Sequence, residues 1–489
     1  MKTKFLFYSI SIVFLFSCKK DNSTTDAPSG TQTLTFGNNG QIYYTFNALD
    51  TTLTAIDGNH QLSTFTTCYD IEKDTTLWIK RDSFPLSYPA YYEANTTTKL
   101  QYFKNYKIGT SLYRIYSTKY YDRNTPNEGF NNNPRFLGVY FDKINIADGK
   151  TQVFKQLISA SELTNPNFGI SNVIYDSLNN KFYFGCSNGK LYSVDINGTV
   201  VWQSSVYNPK VNQLANAIDY GTFLCYNNNK LVFLTNDQKI KAVNTSTGAL
   251  SWIINTSLSY LGNIYYELLV TKKYVFAYHT AIPFSIKKID LQTGNTIPSA
   301  GYFVPSYTTS QPFIPLDINI NDSTISFENQ NNIYVEDRDD DTPQGRNNSP
   351  MSLNLFSKYL PLYSGKIFGA SSGGLYNSPI YTSCLNYTTG NLTWQNNFIY
   401  GTAVYNSQLY DMSLQNNSLY LVTNFKLQGI VMIPSYVDNY LINGIRPYSK
   451  AVYLVTLSPS NGNINNQKTI YKKNDMRFLN VYGFTLGDK

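Results

Sequence analysis

The sequence repeats itself, and the repeat restricts the fold more than any other feature. Leu191-Tyr192-Ser193-Val194-Asp195-Ile196-Asn197-Gly198 leads to Trp202, and Ile240-Lys241-Ala242-Val243-Asn244 leads through Gly248 to Trp252. Ile286-Lys287-Lys288-Ile289-Asp290 leads to Gly294, and Cys384-Leu385-Asn386 leads through Gly390 to Trp394. Each copy is an alternating run, an Asp or Asn, and a turn ending in Gly, usually with a Trp four residues beyond that Gly. Less regular copies surround these: Asp70 before Trp78, Asn145 before Asp148-Gly149, and Ser458 before Gly462. The anchors at 70, 145, 195, 244, 290, 386 and 458 are 75, 50, 49, 46, 96 and 72 residues apart. The step of 96 is twice 48, which puts one hidden copy near Asp337 and makes eight. Without that copy, inferred from spacing alone, the count is seven.

A period in this range marks a repeat architecture in which each unit buries its apolar face against its neighbour. Asp or Asn at a strand end accepts hydrogen bonds from turn amides, and Gly supplies the positive φ that the turn needs. Two further strands precede each motif, as in Thr222–Tyr226 and Lys230–Thr235 with Asn227-Asn228-Asn229 between them. No stretch sustains a helical period. Aromatics make up 16% of the chain, with 43 Tyr and 29 Phe, a composition suited to pleated, half-buried surfaces. The expected fold is therefore all-β: one β-propeller of four-stranded blades, eight preferred and seven possible, over residues 34–489. Its end strands should meet, with Met476–Leu486 set against the early strands from Leu34, because an open ring would leave two exposed edges.

The Asp/Asn, Gly, Trp run resembles the PQQ-like propeller repeat. That blade is found in quinoprotein dehydrogenases and in a lipoprotein of the outer-membrane β-barrel assembly machinery. The resemblance covers about residues 36–475. It implies that Trp78, Trp202, Trp252 and Trp394 dock each blade on the next. Pro298 and Asn466 stand where two copies lack the Trp, so those blades must dock through other side chains. The dehydrogenases hold their cofactor with adjacent cysteines and a calcium-binding acidic set. No Cys-Cys pair occurs here, so PQQ is read as absent and no cofactor is expected.

Ahead of the repeats, Lys2 and Lys4 precede an apolar run from Phe5 to Phe16, too short to span a bilayer as a helix. It ends in Leu15-Phe16-Ser17-Cys18, which resembles a bacterial lipobox with a bulkier Phe16 than usual. Residues 1–17 are thus read as a signal peptide and Cys18 as the lipidated residue. Residues 18–33 form a polar tether, in which Lys19–Thr33 span roughly 20 Å on average. Lys19 follows the Cys where an Asp would signal inner-membrane retention, which favours the outer membrane. Whether the protein faces the periplasm or the cell surface stays open.

Little in the chain suggests catalysis. There are only two His. His60 follows a turn, and His279 ends an apolar run with no metal-binding neighbour. Gly369-Ala370-Ser371-Ser372-Gly373 fits the form of a nucleophile elbow, but a strand-like run follows it and both His lie upstream. Gly149-Lys150-Thr151 has Ile144 where a phosphate loop needs Gly. Asp337, Asp339 and Asp341 alternate as in a calcium loop, but Thr342 stands in place of the Gly and Asn348 in place of the closing Glu. A solvated loop is preferred to an irregular calcium site there, so no metal is expected. Cys68, Cys186, Cys225 and Cys384 have neither disulfide nor zinc spacing. The charge of +7 comes from scattered Lys and Arg, which disfavours nucleic acid.

Two long steps read as insertions, Pro85–Pro134 and about Lys426–Pro447, and Val335–Met351 is a third, irregular stretch. Tyrosines gather at Tyr88–Tyr92, Tyr113–Tyr121 and Tyr436–Tyr448. Long loops on a propeller's faces are where binding usually occurs. The expected function is a monomeric, non-enzymatic lipoprotein scaffold that binds an envelope protein. The alternative is a surface glycan- or ligand-binding lipoprotein, with a quinoprotein-like enzyme third.

Overall fold

The computed structural model describes residues 40–486 apart from 55–59, 72, 82–89, 96–104, 123–134, 164–168, 209–223, 236, 238, 256–265, 271–272, 280–284, 298–313, 319–323, 330–331, 338–357, 360–365, 373–379, 387–391, 399–405, 416–417, 427–429, 433–444, 448–450 and 473–475. Among these residues the chain is all-β, with one three-residue 3-10 turn at Ala160–Glu162. The described residues form nine antiparallel sheets: eight follow in order along the chain, most of them four-stranded, and the ninth is a two-stranded hairpin. The third runs through Ile174–Asp176, Lys181–Gly185, Leu191–Asp195 and Val200–Ser204. The fourth repeats that plan with Leu224–Asn227, Lys230–Leu234, Lys239–Asn244 and Leu250–Asn255.

The first sheet joins the two ends of the described chain. Gln41–Thr54, His60–Asp70 and Thr75–Arg81 are consecutive strands, and Met476–Leu486 pairs antiparallel with the first of them, Ile42 opposite Leu486 and Asp50 opposite Met476. The sixth sheet shows three strands, Ile314–Ile318, Thr324–Asn329 and Asn332–Asp337. Asp337 ends its third strand, the place that Asp195, Asn244, Asp290 and Asn386 hold in theirs.

The reading of Pro85–Pro134 as an insertion needs correction. Ala90–Asn95, Tyr106–Ile108 and Ser111–Asp122 are strands of the five-stranded second sheet. The strand Ser111–Asp122 pairs with Arg135–Asn145 from Ser111↔Asn145 to Tyr120↔Arg135. The sheet was hidden because its two middle strands, of 12 and 11 residues, are about twice the usual length. The repeat spacing therefore stretched, although the number of sheets did not change.

The core lies between neighbouring sheets. Phe141 and Tyr113 of the second sheet pack with Phe182, Phe184 and Val194 of the third. Tyr183 and Leu191 of the third meet Leu231, Phe233 and Val243 of the fourth. Val232 and Ile240 of the fourth meet Val275 and Ile289 of the fifth. Strands that are apolar on both faces follow from this arrangement, since each sheet is covered on both sides.

Candidate binding face

The described motif turns lie on one face of the assembly, each against the side chain of the preceding sheet. Asp195 Oδ1 accepts from the amides of Asn197 and Thr199, both at 2.8 Å. Asn244 Oδ1 accepts from Ser246 N at 2.8 Å, and Asp290 Oδ1 from Thr293 N at 2.7 Å. These amides hold the Asp290 carboxyl below the usual carboxylate range. Gly198, Gly248 and Gly294 adopt φ of +72°, +71° and +76°, where a side chain would be strained.

Each described Trp lies against the turn of the following sheet. The indole N–H of Trp78 donates to Ile146 O at 2.8 Å, that of Trp202 to Thr245 O at 2.9 Å, that of Trp252 to Leu291 O at 2.8 Å, and that of Trp394 to Pro459 O at 2.9 Å. The acceptor is always the carbonyl just after the anchor residue. The rings rest on Gly149, Gly248, Gly294 and Gly462, where a Cβ would collide with the indole. Trp78, Trp252 and Trp394 are buried. Trp202, expected to be largely buried as well, is only partly so. Its indole stacks on Tyr183 at the sheet margin, with ring centroids 6.0 Å apart.

Sheets without the Trp dock differently. Phe141 of the second sheet lies over Gly198. In the eighth sheet, made of Asn406–Gln415, Ser418–Lys426, Ala451–Leu457 and Ile464–Lys472, Asn466 replaces the Trp. There Lys468 Nζ donates to Ile71 O of the first sheet at 2.9 Å. The first and second sheets also share a buried polar seam. Asp142 is paired with Arg114, and with Lys80 at 2.8 Å, while Arg114 also donates to the Thr66 hydroxyl.

The opposite face differs around the assembly. In the third to seventh sheets the two middle strands run five to seven residues. In the first sheet they run 14 and 11, in the second 12 and 11, and in the eighth 9 and 7 after a first strand of 10. Register fixes the direction of this excess. Gln41↔Asp70 and Ser111↔Asn145 lie at the turn face, so Thr54↔His60 and the ends Asp122 and Arg135 rise from the other. From the same side of the eighth sheet, between Lys426 and Ala451, comes an extra hairpin, Ile430–Met432 paired with Ile445–Pro447. The eighth, first and second sheets are consecutive through the contacts of Lys468 and Trp78. Two regions read as separate insertions thus rise from one sector. Within it Tyr91 lies opposite Tyr121 and Tyr92 opposite Tyr120.

The remaining candidate residues form no reactive centre among the described residues. Ser371 sits inside the strand Lys366–Ser372, opposite Tyr381 in the next strand. His60 and His279 are strand-end residues in different sheets. Among the described residues no three His, Cys, Asp or Glu side chains gather as a metal site. Cys68, Cys186 and Cys384 are buried thiols, and burial pushes Cys186 and Cys384 up to about 11. No helix of the described residues is long and apolar enough to cross a membrane. Cys18, Asp339, Asp341, Gly390 and the tether lie outside the described residues.

No family model matches the sequence, and no curated protein matches it. Solved structures match it at low identity and low TM-score. BamB from Moraxella catarrhalis is 13% identical, with a TM-score of 0.38 over 78% of this chain and 98% of its own. Apo AztD from Citrobacter koseri is 8% identical, with a TM-score of 0.47 over 92% and 99%. The computationally designed Ika8 protein is 9% identical, with a TM-score of 0.44 over 79% and 98%.

Proposed function

We propose that the chain is a lipid-anchored, eight-bladed β-propeller of the cell envelope that acts as a non-enzymatic protein-binding scaffold. The propeller reading is supported by cyclic docking: the eighth sheet reaches the first through Lys468, and the terminal strand Met476–Leu486 completes the first sheet. The binding reading rests on one observation, the lengthening of three consecutive sheets on one face. The lengthened part of the second sheet, Ala90–Asn95, packs against His60–Asp70 of the first, and the surface these adjacent sheets raise on one face is the kind of place where binding occurs. The lipobox-like Leu15–Cys18 supports the anchor, with the outer membrane as its site.

In-cell photo-crosslinking tests this. A crosslinker at Tyr120 should trap a defined envelope protein, and one at Lys150 on the turn face should not. Equal trapping at both sites, or none at Tyr120, removes the assignment. The tyrosine-rich strands Ala90–Asn95 and Ser111–Asp122 favour a second reading, a glycan-binding surface. A glycan array with the purified domain separates the two.

A further inference from the structure

We propose that the outer edge of the fourth sheet, the strand Leu250–Asn255, takes up an extended, acid-flanked segment of a partner polypeptide as an added β-strand. This contact is independent of both the lengthened sector and the lipid-anchor reading. Leu250–Asn255 ends its sheet: it pairs with Lys239–Asn244 on one side and with no strand among the described residues on the other. Such an edge carries a row of backbone N–H and C=O groups that another extended chain satisfies.

The other described outer strands are guarded, and this one is not. Each outer strand that bears a Trp has a register shift just before it, so the regular run open to a new strand begins at the Trp. In the first sheet that run is Trp78-Ile79-Lys80-Arg81, closed by two charges. In the third it is only Trp202-Gln203-Ser204, and in the seventh Trp394 is followed by Gln395-Asn396-Asn397. The outer strand of the second sheet carries Lys155, that of the eighth carries Lys468 and Lys472, and that of the fifth has two residues. Charge and short length are means of blunting an edge. The fourth sheet instead offers Trp252-Ile253-Ile254-Asn255, paired without a shift from Ala242 to Lys239 and free of charge, Gly and Pro. Ile253 is 47% exposed and Leu250 45%, so apolar side chains stand beside the open backbone.

Charge selects the occupant. On the two strands inboard of this edge and the loop that joins them, Lys230, Lys239 and Lys241 stand against Asp237 alone. Lys230 Nζ donates to Ser251 Oγ at 2.9 Å, and Lys239, opposite Asn255, pairs with Asp237 at 2.7 Å. Cations therefore lie toward both ends of the strand. A second copy of this chain would bring the same lysines to the same edge and be repelled, whereas carboxylates on either side of a β-branched run would be attracted.

A defined peptide tests this. Full-length protein is titrated against a fluorescent peptide of alternating Thr and Val between two pairs of Asp. Anisotropy should show saturable binding, and a photoreactive form should crosslink within residues 239–255. Methylating every second backbone amide of the peptide, in each of the two registers, should weaken binding about tenfold in one of them. Ile253→Glu should weaken it by about the same factor with no change in the urea midpoint, since the side chain is exposed. Gln203→Glu on the neighbouring edge should leave binding unchanged, and a Lys-flanked peptide should bind severalfold more weakly. The inference is overturned by absence of binding up to roughly millimolar peptide, by binding indifferent to methylation or to Ile253→Glu, or by crosslinks at the other outer strands. A dimer in sedimentation that Ile253→Glu disperses would make the occupant a second copy and overturn the partner assigned here.

Discussion

Lys468 donates to the carbonyl of Ile71, 397 residues away in sequence, and so fills in the eighth sheet the role that an indole N–H fills in four others. The acceptor is again the carbonyl that follows the anchor residue, here Asp70. A different donor thus keeps the docking geometry at the junction where the last sheet meets the first.

Lys468→Met should lower stability by about 1–2 kcal/mol in urea unfolding, the range for a charged hydrogen bond in a partly open site. Its ion pair with Asp74 adds little, because Asp74 is largely exposed. Asp74→Asn should accordingly be close to neutral. A large loss in the Asp74 variant and none in the Lys468 variant would transfer the contribution to the ion pair.

Gly294→Ala introduces a Cβ 2.7 Å from Trp252 Cγ at a φ of +76°. Gly109→Ala is the control, with a φ of +57° and no atom within 4 Å. The control should cost ~1–2 kcal/mol for left-handed backbone alone. The Gly294 variant should cost ~1–3 kcal/mol more from overpacking. Equal losses would mean that the indole yields freely.

Trp252→Ala should cost ~3–5 kcal/mol, as for large core aromatics. Trp202→Ala should cost about half of that, because its ring buries less apolar area. Equal losses measured by denaturant unfolding would count against burial as the controlling quantity.

Asp142→Asn removes the carboxylate that Arg114 and Lys80 share and takes an ion-pair partner from the buried guanidinium. The expected loss is ~3–5 kcal/mol. The paired change Arg114→Met with Asp142→Leu should recover most of it, since apolar replacement of a buried ion pair is often neutral. A double variant as unstable as the single one would argue for a role beyond charge pairing.

Asp290 should contribute to the acid limb of the stability curve. Turn amides, led by that of Thr293, lower its folded pKa below the unfolded value. Its stabilisation is therefore present above the unfolded carboxylate range and lost as pH falls through the folded pKa. Asp290→Asn should keep the turn, as Asn244 does in its own sheet, and flatten the stability profile below about pH 4. An unchanged acid limb would show that the carboxyl is not linked to folding.

The turn motif was legible because it is local. Asp195, Asn244 and Asp290 bond to amides within four residues, and Gly is needed within the same turn, so sequence carries the whole arrangement. The pairing of Met476–Leu486 with Gln41–Thr54 was legible from a different principle, the cost of open edges. Asp337 fell at a strand end because spacing alone reports a copy whose turn has lost its Gly. The second sheet was not legible as a sheet, since strands of 11 and 12 residues break the period that marks the others. Lys468 was not legible either. Nothing in the order of residues says which donor replaces a missing Trp when its acceptor lies at the other end of the chain. The lengthened sector shared that difficulty, because it combines segments near residues 50, 120 and 440 that only the docking order brings together.

The place of Met476–Leu486 beside Gln41–Thr54 also sets a timetable for biogenesis. At ~5–20 residues per second, the roughly 420 residues between these strands take about 20–80 s to synthesise. Throughout that interval the outer edge of Gln41–Thr54 has no cognate partner within the chain, and its backbone groups are open to any strand that approaches. An unfinished chain therefore carries a hazard that the finished one lacks. That edge closes only when Met476–Leu486 becomes available to pair with it.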